Sequence, residues 1–323
     1  MPTDLSQTLV VGISATALFD LSEADSRFRS MMETDRDSAI EEYRSYMRDN
    51  ENVPLAPGAG YPLVQALLAL NGHRGAAEPP LIDVVILTRN SPEIGLRILR
   101  SVQAQELNII RSAFTGGESV VPYLESFGVH LFLTTDLTDA QRVADSNTCA
   151  VGLLNKPPQG IGGLSTEQVR MALDGDAVLF DDESEVIYQT KGLEAFLAHE
   201  RAAQELPLKD GPYAVFLRKL AELQKRLPMR VEYSPVRIAL VTARNSPADI
   251  RVITTLRDWG VYVDEAFFLG GLDKTPVLRA FKPHIFFDDQ EAHLDRAAAE
   301  IPSARVPHAS HSPLHTNAPT ESN

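Results

Sequence analysis

FTGGESVVPYLESFGVHLFLTTD (residues 114–136) and FLGGLDKTPVLRAFKPHIFFDDQ (residues 268–290) align without a gap, and this pairing decides the fold. Phe114 meets Phe268, Gly116-Gly117 meets Gly270-Gly271, and Pro122 meets Pro276. Leu124, Phe127, His130 and Phe132 then meet Leu278, Phe281, His284 and Phe286. Upstream, Arg89-Asn90-Ser91-Pro92 matches Arg244-Asn245-Ser246-Pro247, each directly after an apolar run (84–87 and 238–241). Further upstream, Pro54-Leu55 and Gly58 match Pro207-Leu208 and Gly211. The start is looser: Ser14-Ala15-Thr16-Ala17 followed by Leu18-Phe19 pairs with Asp174-Gly175-Asp176-Ala177 followed by Leu179-Phe180, with a one-residue gap. Ordered matches over this length indicate two copies of one α/β unit. The first copy spans 1–152 and the second 169–302. The stretch 153–168 between them is rich in Gly and Pro and reads as a linker.

Within the second copy, apolar strand-like runs alternate with helical patterns, which is the mark of a doubly wound parallel sheet. A strand ends at Asp174, and a helical insertion follows within about 183–235, with Phe216, Leu217, Leu220 and Leu223 at helical spacing. The run 238–241 then delivers Thr242, a helix covers about 247–259, a short strand 265–269, and a helix begins near Lys274. The run 285–287 ends at Asp288-Asp289. Ligands of such sheets bind beyond the carboxyl ends of the strands, where Asp174, Asp176, Thr242, Asp288 and Asp289 all fall. Asp174 and Asp176, two residues apart at a strand exit, are expected to face the same way. An EF-hand calcium loop would need an oxygen ligand and a glycine where this chain has Val178 and Leu179, so a calcium loop of that kind is not expected.

The formal net charge of −14 argues against binding a nucleic-acid polymer. Cys149 is the single cysteine, so no intrachain disulfide is possible and no cysteine-based zinc motif is visible. The apolar run 9–19 follows Asp4 and lacks a positive leader, so it reads as a core strand rather than a signal peptide. No membrane span is expected, and the default compartment is the cytoplasm. Residues 303–323 mix Pro, His, Ser and Thr without periodicity and read as a disordered tail.

Asp174-x-Asp176, Thr242, Lys274 and Asp288-Asp289, in that order, resemble the four motifs of haloacid-dehalogenase-superfamily (HAD) phosphatases. More narrowly, residues 172–185 resemble the cytosolic 5′-nucleotidase I family, as do Gly60-Tyr61-Pro62-Leu63, Val241-Thr242-Ala243-Arg244 and residues 284–290. The resemblance covers about residues 8–308. It implies two HAD-like, Rossmannoid units with helical cap insertions and a Mg²⁺-dependent hydrolase of nucleoside 5′-monophosphates, AMP-like ones foremost. Alternatives are a phosphatase for another small phosphomonoester and a nucleotide-binding regulator without turnover. A homo-oligomer is left open.

On this resemblance Asp174 is the nucleophile that forms an aspartyl-phosphate, and Asp176 is the acid and base. Thr242, donating to a phosphoryl oxygen, and Lys274, offsetting negative charge, complete the catalytic set, and Thr242, Ala243, Arg244 and Lys274 are the substrate-binding residues. Mg²⁺ is held by Asp174, Asp176 through its backbone carbonyl, and Asp289, with Asp288 in support. Arg89 occupies the place of Arg244 in the other copy, so a shared structural role stays open for Arg244. His199-Glu200 resembles a feature of the same family and is open to a substrate-facing role, with a satisfied helix surface as the leading reading.

The first copy lacks this chemistry: Val120 stands opposite Lys274, Thr134-Thr135 opposite Asp288-Asp289, and Ser14 and Thr16 opposite the aspartate pair. It is expected to be a catalytically silent buttress whose stretch 50–63 helps cover the base or ribose.

Overall fold

Residues 4–23, 36–155, 167–228 and 234–315 are described by the computed structural model. Ten strands form one sheet: β1 Leu9–Ile13, β2 Ile82–Thr88, β3 Arg111–Phe114, β4 Leu131–Thr134, β5 Ala150–Leu154, β6 Val169–Leu173, β7 Val236–Thr242, β8 Glu265–Phe268, β9 Ile285–Asp288 and β10 Ser303–Arg305. Their order is β3-β2-β1-β4-β5-β10-β9-β6-β7-β8. The first five strands and the last five thus run through the same permutation, outward from a β5–β10 seam. Every pairing is parallel except that of β10 with β5, where Ala304 pairs with Leu154 and Arg305 with Leu153. That one antiparallel seam reverses strand direction between the halves. The carboxyl ends of β1 and β4 therefore emerge on one edge of the sheet, and those of β6, β7 and β9 on the other.

The central strands are buried end to end, as in β1 (LVVGI) and β2 (IDVVILT). Such unbroken burial is expected of a parallel sheet covered on both faces. Alternation along the strands assigns side chains to layers. Val11, Ile13, Met171 and Leu173 enter one cluster that spans both halves. Val10 and Val85 enter a cluster confined to the first half, and Ala172 and Ala239 one confined to the second. In the shared layer the helix Ala214–Arg226 packs near β1 and the helix Tyr61–Ala69 near β6, each against a strand of the other half. The two halves share a core as well as a sheet.

The repeat seen in the sequence persists in bonding detail. His130 Nδ1 accepts the Val10 N–H and His284 Nδ1 accepts the Arg170 N–H, both at 3.1 Å. Gly58 N–H donates to the Leu18 carbonyl and Gly211 N–H to the Leu179 carbonyl, both at 2.9 Å. The one-residue gap has a structural counterpart. The short helix Ala15–Leu18 follows Ser14, whereas the matching turn Gly175–Leu179 is one residue longer. It closes through Phe180 N–H to the Gly175 carbonyl at 3.0 Å and takes up the extra residue at Ala177, whose φ is 58°. Such widened turns recur at functional sites.

Several expectations are corrected here. The apolar run 9–19 is a strand followed by a helix, because Ser14 Oγ accepts the Ala17 N–H and caps a new helix at 3.2 Å. Residues 303–315 are ordered: β10 closes the sheet, and Ser310 donates to Asp145 through N–H at 2.7 Å and through Oγ at 2.9 Å. Of the expected tail, 316–323 lie outside the described residues. Leu153 and Leu154 of the expected linker belong to β5, and 156–166 lie outside the described residues. The stretch 50–63 does not lie at the aspartate edge. Gly58 and Gly60 bond to Leu18 and Ala17 beyond β1, on the opposite edge of the sheet.

Gly58 and Gly211 are needed for close approach. A Cβ on Gly58 would sit 2.7 Å from the Ala17 carbonyl oxygen, and one on Gly211 would overlap the Phe180 carbonyl. Backbone cannot yield as a flexible side chain can. We expect Gly58→Ala and Gly211→Ala each to cost about 2–4 kcal/mol, read as a lowered urea midpoint. An unchanged midpoint in both would contradict this packing.

Candidate active site

The carboxyl ends of β6, β7 and β9 bring the sequence candidates together. Asp174 caps the turn that leaves β6, and its Oδ1 accepts the Gly175 N–H at 2.7 Å. Lys274 stands at the first position before the helix Thr275–Phe281 and is buried with its ammonium between two carboxylates. Its Nζ lies 2.9 Å from Asp174 Oδ1 and 2.7 Å from Asp288 Oδ2. Asp288 also accepts the Gln290 N–H at 2.8 Å and faces His293 Nδ1 at 3.2 Å. Thr242 ends β7 beside the turn, since a Cβ on Gly175 would stand 3.2 Å from Thr242 Oγ1.

Burial and charge oppose one another at this cluster. Burial pushes the Asp174 carboxyl up to about 7 against the pull of Lys274, with the Asp288 charge adding to the rise. Burial also opposes ionisation of Asp288, but Lys274 and His293 outweigh it and hold that carboxyl below its ordinary range. Lys274 is likewise disfavoured by burial, and the two aspartates more than offset this and raise it. Asp289 is pushed well above the ordinary range by burial, with Asp288 and Asp174 adding to the rise.

This donor set suits a divalent cation. Asp174, Asp288 and His293 each offer a ligand atom, all within 4.8 Å of one another. Asp289 is buried with Oδ1 unpartnered, while its Oδ2 lies 3.4 Å from His308 Nε2. Three carboxylates against one ammonium leave a formal −2 when all are ionised, and hard oxygen donors favour Mg²⁺- or Ca²⁺-like ions. Asp289, expected as the metal ligand with Asp288 in support, stands outside the close trio, and Asp288 stands within it.

Asp174 and Asp176 do not share a strand face. β6 ends at Leu173, and the widened turn sends the two side chains to different partners. Both Asp176 oxygens accept from Arg244, Oδ2 from Nε at 2.8 Å and Oδ1 from Nη2 at 2.6 Å. Arg244 Nη1 donates to Glu200 Oε2 at 2.6 Å. Arg244 is therefore buried among carboxylates, whereas its counterpart Arg89 is exposed, with Nε donating to the Gly117 carbonyl at 3.1 Å. Ala243 is exposed, and its carbonyl accepts the Gly271 N–H at 3.1 Å.

Arg251, His293 and His308 escaped the sequence reading, and Glu200 was placed there chiefly on a helix surface. Glu200 is fully buried, so the helix-surface reading fails for it. Only the spacing of His293, five residues after Asp288 at a helix start, offered a signal. A cavity of about 450 Å³ opens beside the site, lined by His130, Cys149, Ala177, Asp182 and His308 among others. On the opposite edge, Ser14 Oγ meets Thr16 Oγ1 at 3.2 Å and Thr135 Oγ1 meets Thr16 Oγ1 at 2.6 Å. Hydroxyls occupy the place that carboxylates hold in the second half.

The 5′-nucleotidase family model matches residues 1–313. Human cytosolic 5′-nucleotidase 1B is 34% identical over 302 residues, covering 92% of this chain and 48% of that protein. The chain thus spans about half the length of this curated relative. No solved structure matches the chain.

Removing the shared ammonium should expose the electrostatic strain. Lys274→Met leaves two buried carboxylates facing each other, and loss of one partner of a buried pair costs about 3–5 kcal/mol. We expect that loss in urea unfolding with EDTA, reduced when millimolar Mg²⁺ is added. Equal stability of variant and wild type in EDTA would refute the bridging role.

Proposed function

This chain belongs to the 5′-nucleotidase family, and we propose that it hydrolyses nucleoside 5′-monophosphates, AMP-like ones foremost, through a phosphoenzyme on Asp174. The observation that carries the proposal is the Lys274 ammonium within 2.9 Å of Asp174 and 2.7 Å of Asp288, at converging strand ends. In this reading the second half is an HAD-like catalytic unit whose segment about 183–235 acts as its cap. The first half is its silent structural counterpart.

Uncatalysed phosphate-monoester hydrolysis is so slow that accelerations reach about 10²¹, so several effects must act together. Asp174 supplies the nucleophilic oxygen and divides one difficult displacement into two. Its Oδ1 is fixed by the Gly175 N–H and Lys274, which leaves Oδ2 as the attacking atom. As the Oδ2–P bond forms, the P–O5′ bond breaks and its electron pair passes to O5′. The Asp176 carboxyl gives its proton to that oxygen, then takes one from the water that cleaves the phosphoenzyme. Lys274 offsets the negative charge that gathers on the phosphoryl oxygens. Thr242 Oγ1 accepts the Arg244 N–H at 3.2 Å, leaving its hydroxyl hydrogen to donate to a phosphoryl oxygen.

Mg²⁺ is the proposed cation, with Asp174 and Asp288 as ligands, Asp289 and His293 at hand, and the Asp176 carbonyl as a further oxygen. When bound it supplies positive charge that favours ionised Asp174 and neutralises phosphate. Cytoplasmic placement is the corresponding expectation. Among the described residues no helix is long and apolar enough to cross a membrane.

Phosphate release from AMP with Mg²⁺ and with EDTA tests the proposal, and absence of metal-dependent release from any nucleoside monophosphate would refute it. Asp174→Asn should abolish turnover by at least ~10³-fold with unchanged circular dichroism. Ser14→Ala, at the corresponding place in the first half, should retain most of the activity. A collapse of rate in Ser14→Ala would mean that the first half takes part in the chemistry.

A further inference from the structure

Glu200 has no part in the chemistry above, yet it sits fully buried on the helix Glu183–Ala202. A buried carboxylate is costly unless paired and hydrogen-bonded. This one gathers donors from three elements. Ser184 Oγ and Arg251 Nη1 donate to its Oε1 at 2.8 and 2.9 Å, and Arg244 Nη1 donates to its Oε2 at 2.6 Å. Arg244 gives its remaining two nitrogens to Asp176. Phe180 and Phe196 flank the same guanidinium, with ring centroids 5.9 and 5.5 Å away. The outcome is a chain of alternating charge, Asp176–Arg244–Glu200–Arg251. It links the segment 183–202 to the turn that follows β6.

We propose that Glu200 is a positioning residue for Asp176, acting through Arg244. This rests on the reading of Asp176 as the proton donor to O5′. A carboxyl group whose two oxygens both accept from a guanidinium must give up one of those bonds to carry and deliver a proton. Charge-assisted bidentate pairs are strong and geometrically fixed, so an Arg244 devoted to Asp176 alone would hold it as a closed ion pair. Glu200 competes for that guanidinium from the far side. Arg244 can then release one Asp176 oxygen while keeping a charged partner, and the other bond still aims the carboxyl. Arg251 and Ser184 fix Glu200 in place for this role.

Leaving-group dependence separates positioning from a merely structural role. A nucleoside needs a proton as it departs, whereas p-nitrophenolate leaves without one. Single-turnover release of leaving group is measured from AMP and from p-nitrophenyl phosphate with saturating Mg²⁺. In Glu200→Gln the AMP rate should fall ~10-fold or more, a fraction of what an acid–base group contributes. The p-nitrophenyl phosphate rate should change less than ~2-fold. Equal losses on both substrates, or none on AMP, would overturn the proposal. If Glu200→Gln does not fold, Ser184→Ala removes one neutral hydrogen bond to the same carboxylate and should give a smaller loss confined to AMP. An even loss in that variant overturns the proposal as well. Wild-type protein that releases neither leaving group would instead refute the hydrolase reading, a result distinct from failure of the relay.

Discussion

One buried ammonium holds the aspartate edge together. Lys274 stands between Asp174 and Asp288, two carboxylates that burial would otherwise drive to protonate or separate. A lysine at a helix N-terminus opposes the helix dipole, so this position is unfavourable until the aspartates compensate it. The compensation is mutual. Asp174 arrives from β6, Asp288 from β9 and Lys274 from the helix after β8, so the triad also fastens three elements at the sheet edge. Proposed nucleophile, proposed metal ligand and fold share the same charges. A divalent cation fits the residual negative charge and the unpartnered Asp289 Oδ1.

The seam between β5 and β10 gives the second constraint. Because it is antiparallel, two similar units place their strand ends on opposite edges and cannot pool them into one site. What the first half brings to the aspartate edge is the amino ends of β4 and β5, seen where His130 and Cys149 line the adjoining cavity. It also contributes to the shared apolar layer, in which each half lays a helix against the other's strand. The same turn, with and without one extra residue, carries aspartates on one edge and hydroxyls on the other.

Much of this was legible in the sequence, for identifiable reasons. The repeat was readable because matching residues do matching jobs: His130 and His284 accept a neighbouring strand's N–H, and Gly58 and Gly211 admit a close backbone. Asp174, Thr242, Lys274 and Asp288 were readable because parallel strands put their exits on one edge. Strand direction at the seam was not, because the three-residue β10 is set by pairing partners far away in the chain. The segment after it resembled a tail, since its order comes from contacts with Asp145 rather than from any periodicity of its own. Glu200 looked like any helix glutamate, and only helix docking reveals that it is buried between two arginines. Asp174 and Asp176 were expected on one strand face, and the widened turn separated them. Their different partners suit different proposed roles better than a shared face would.

The central claim is that Asp174 itself carries the phosphoryl group. Rapid acid quench of the enzyme during turnover of AMP with Mg²⁺, followed by borohydride reduction and peptide mass spectrometry, tests it most directly. The account predicts that Asp174 alone, within the peptide spanning β6 and the following turn, is converted to homoserine through its acyl phosphate. Turnover with no modification at Asp174, or with modification on another carboxylate, would contradict it.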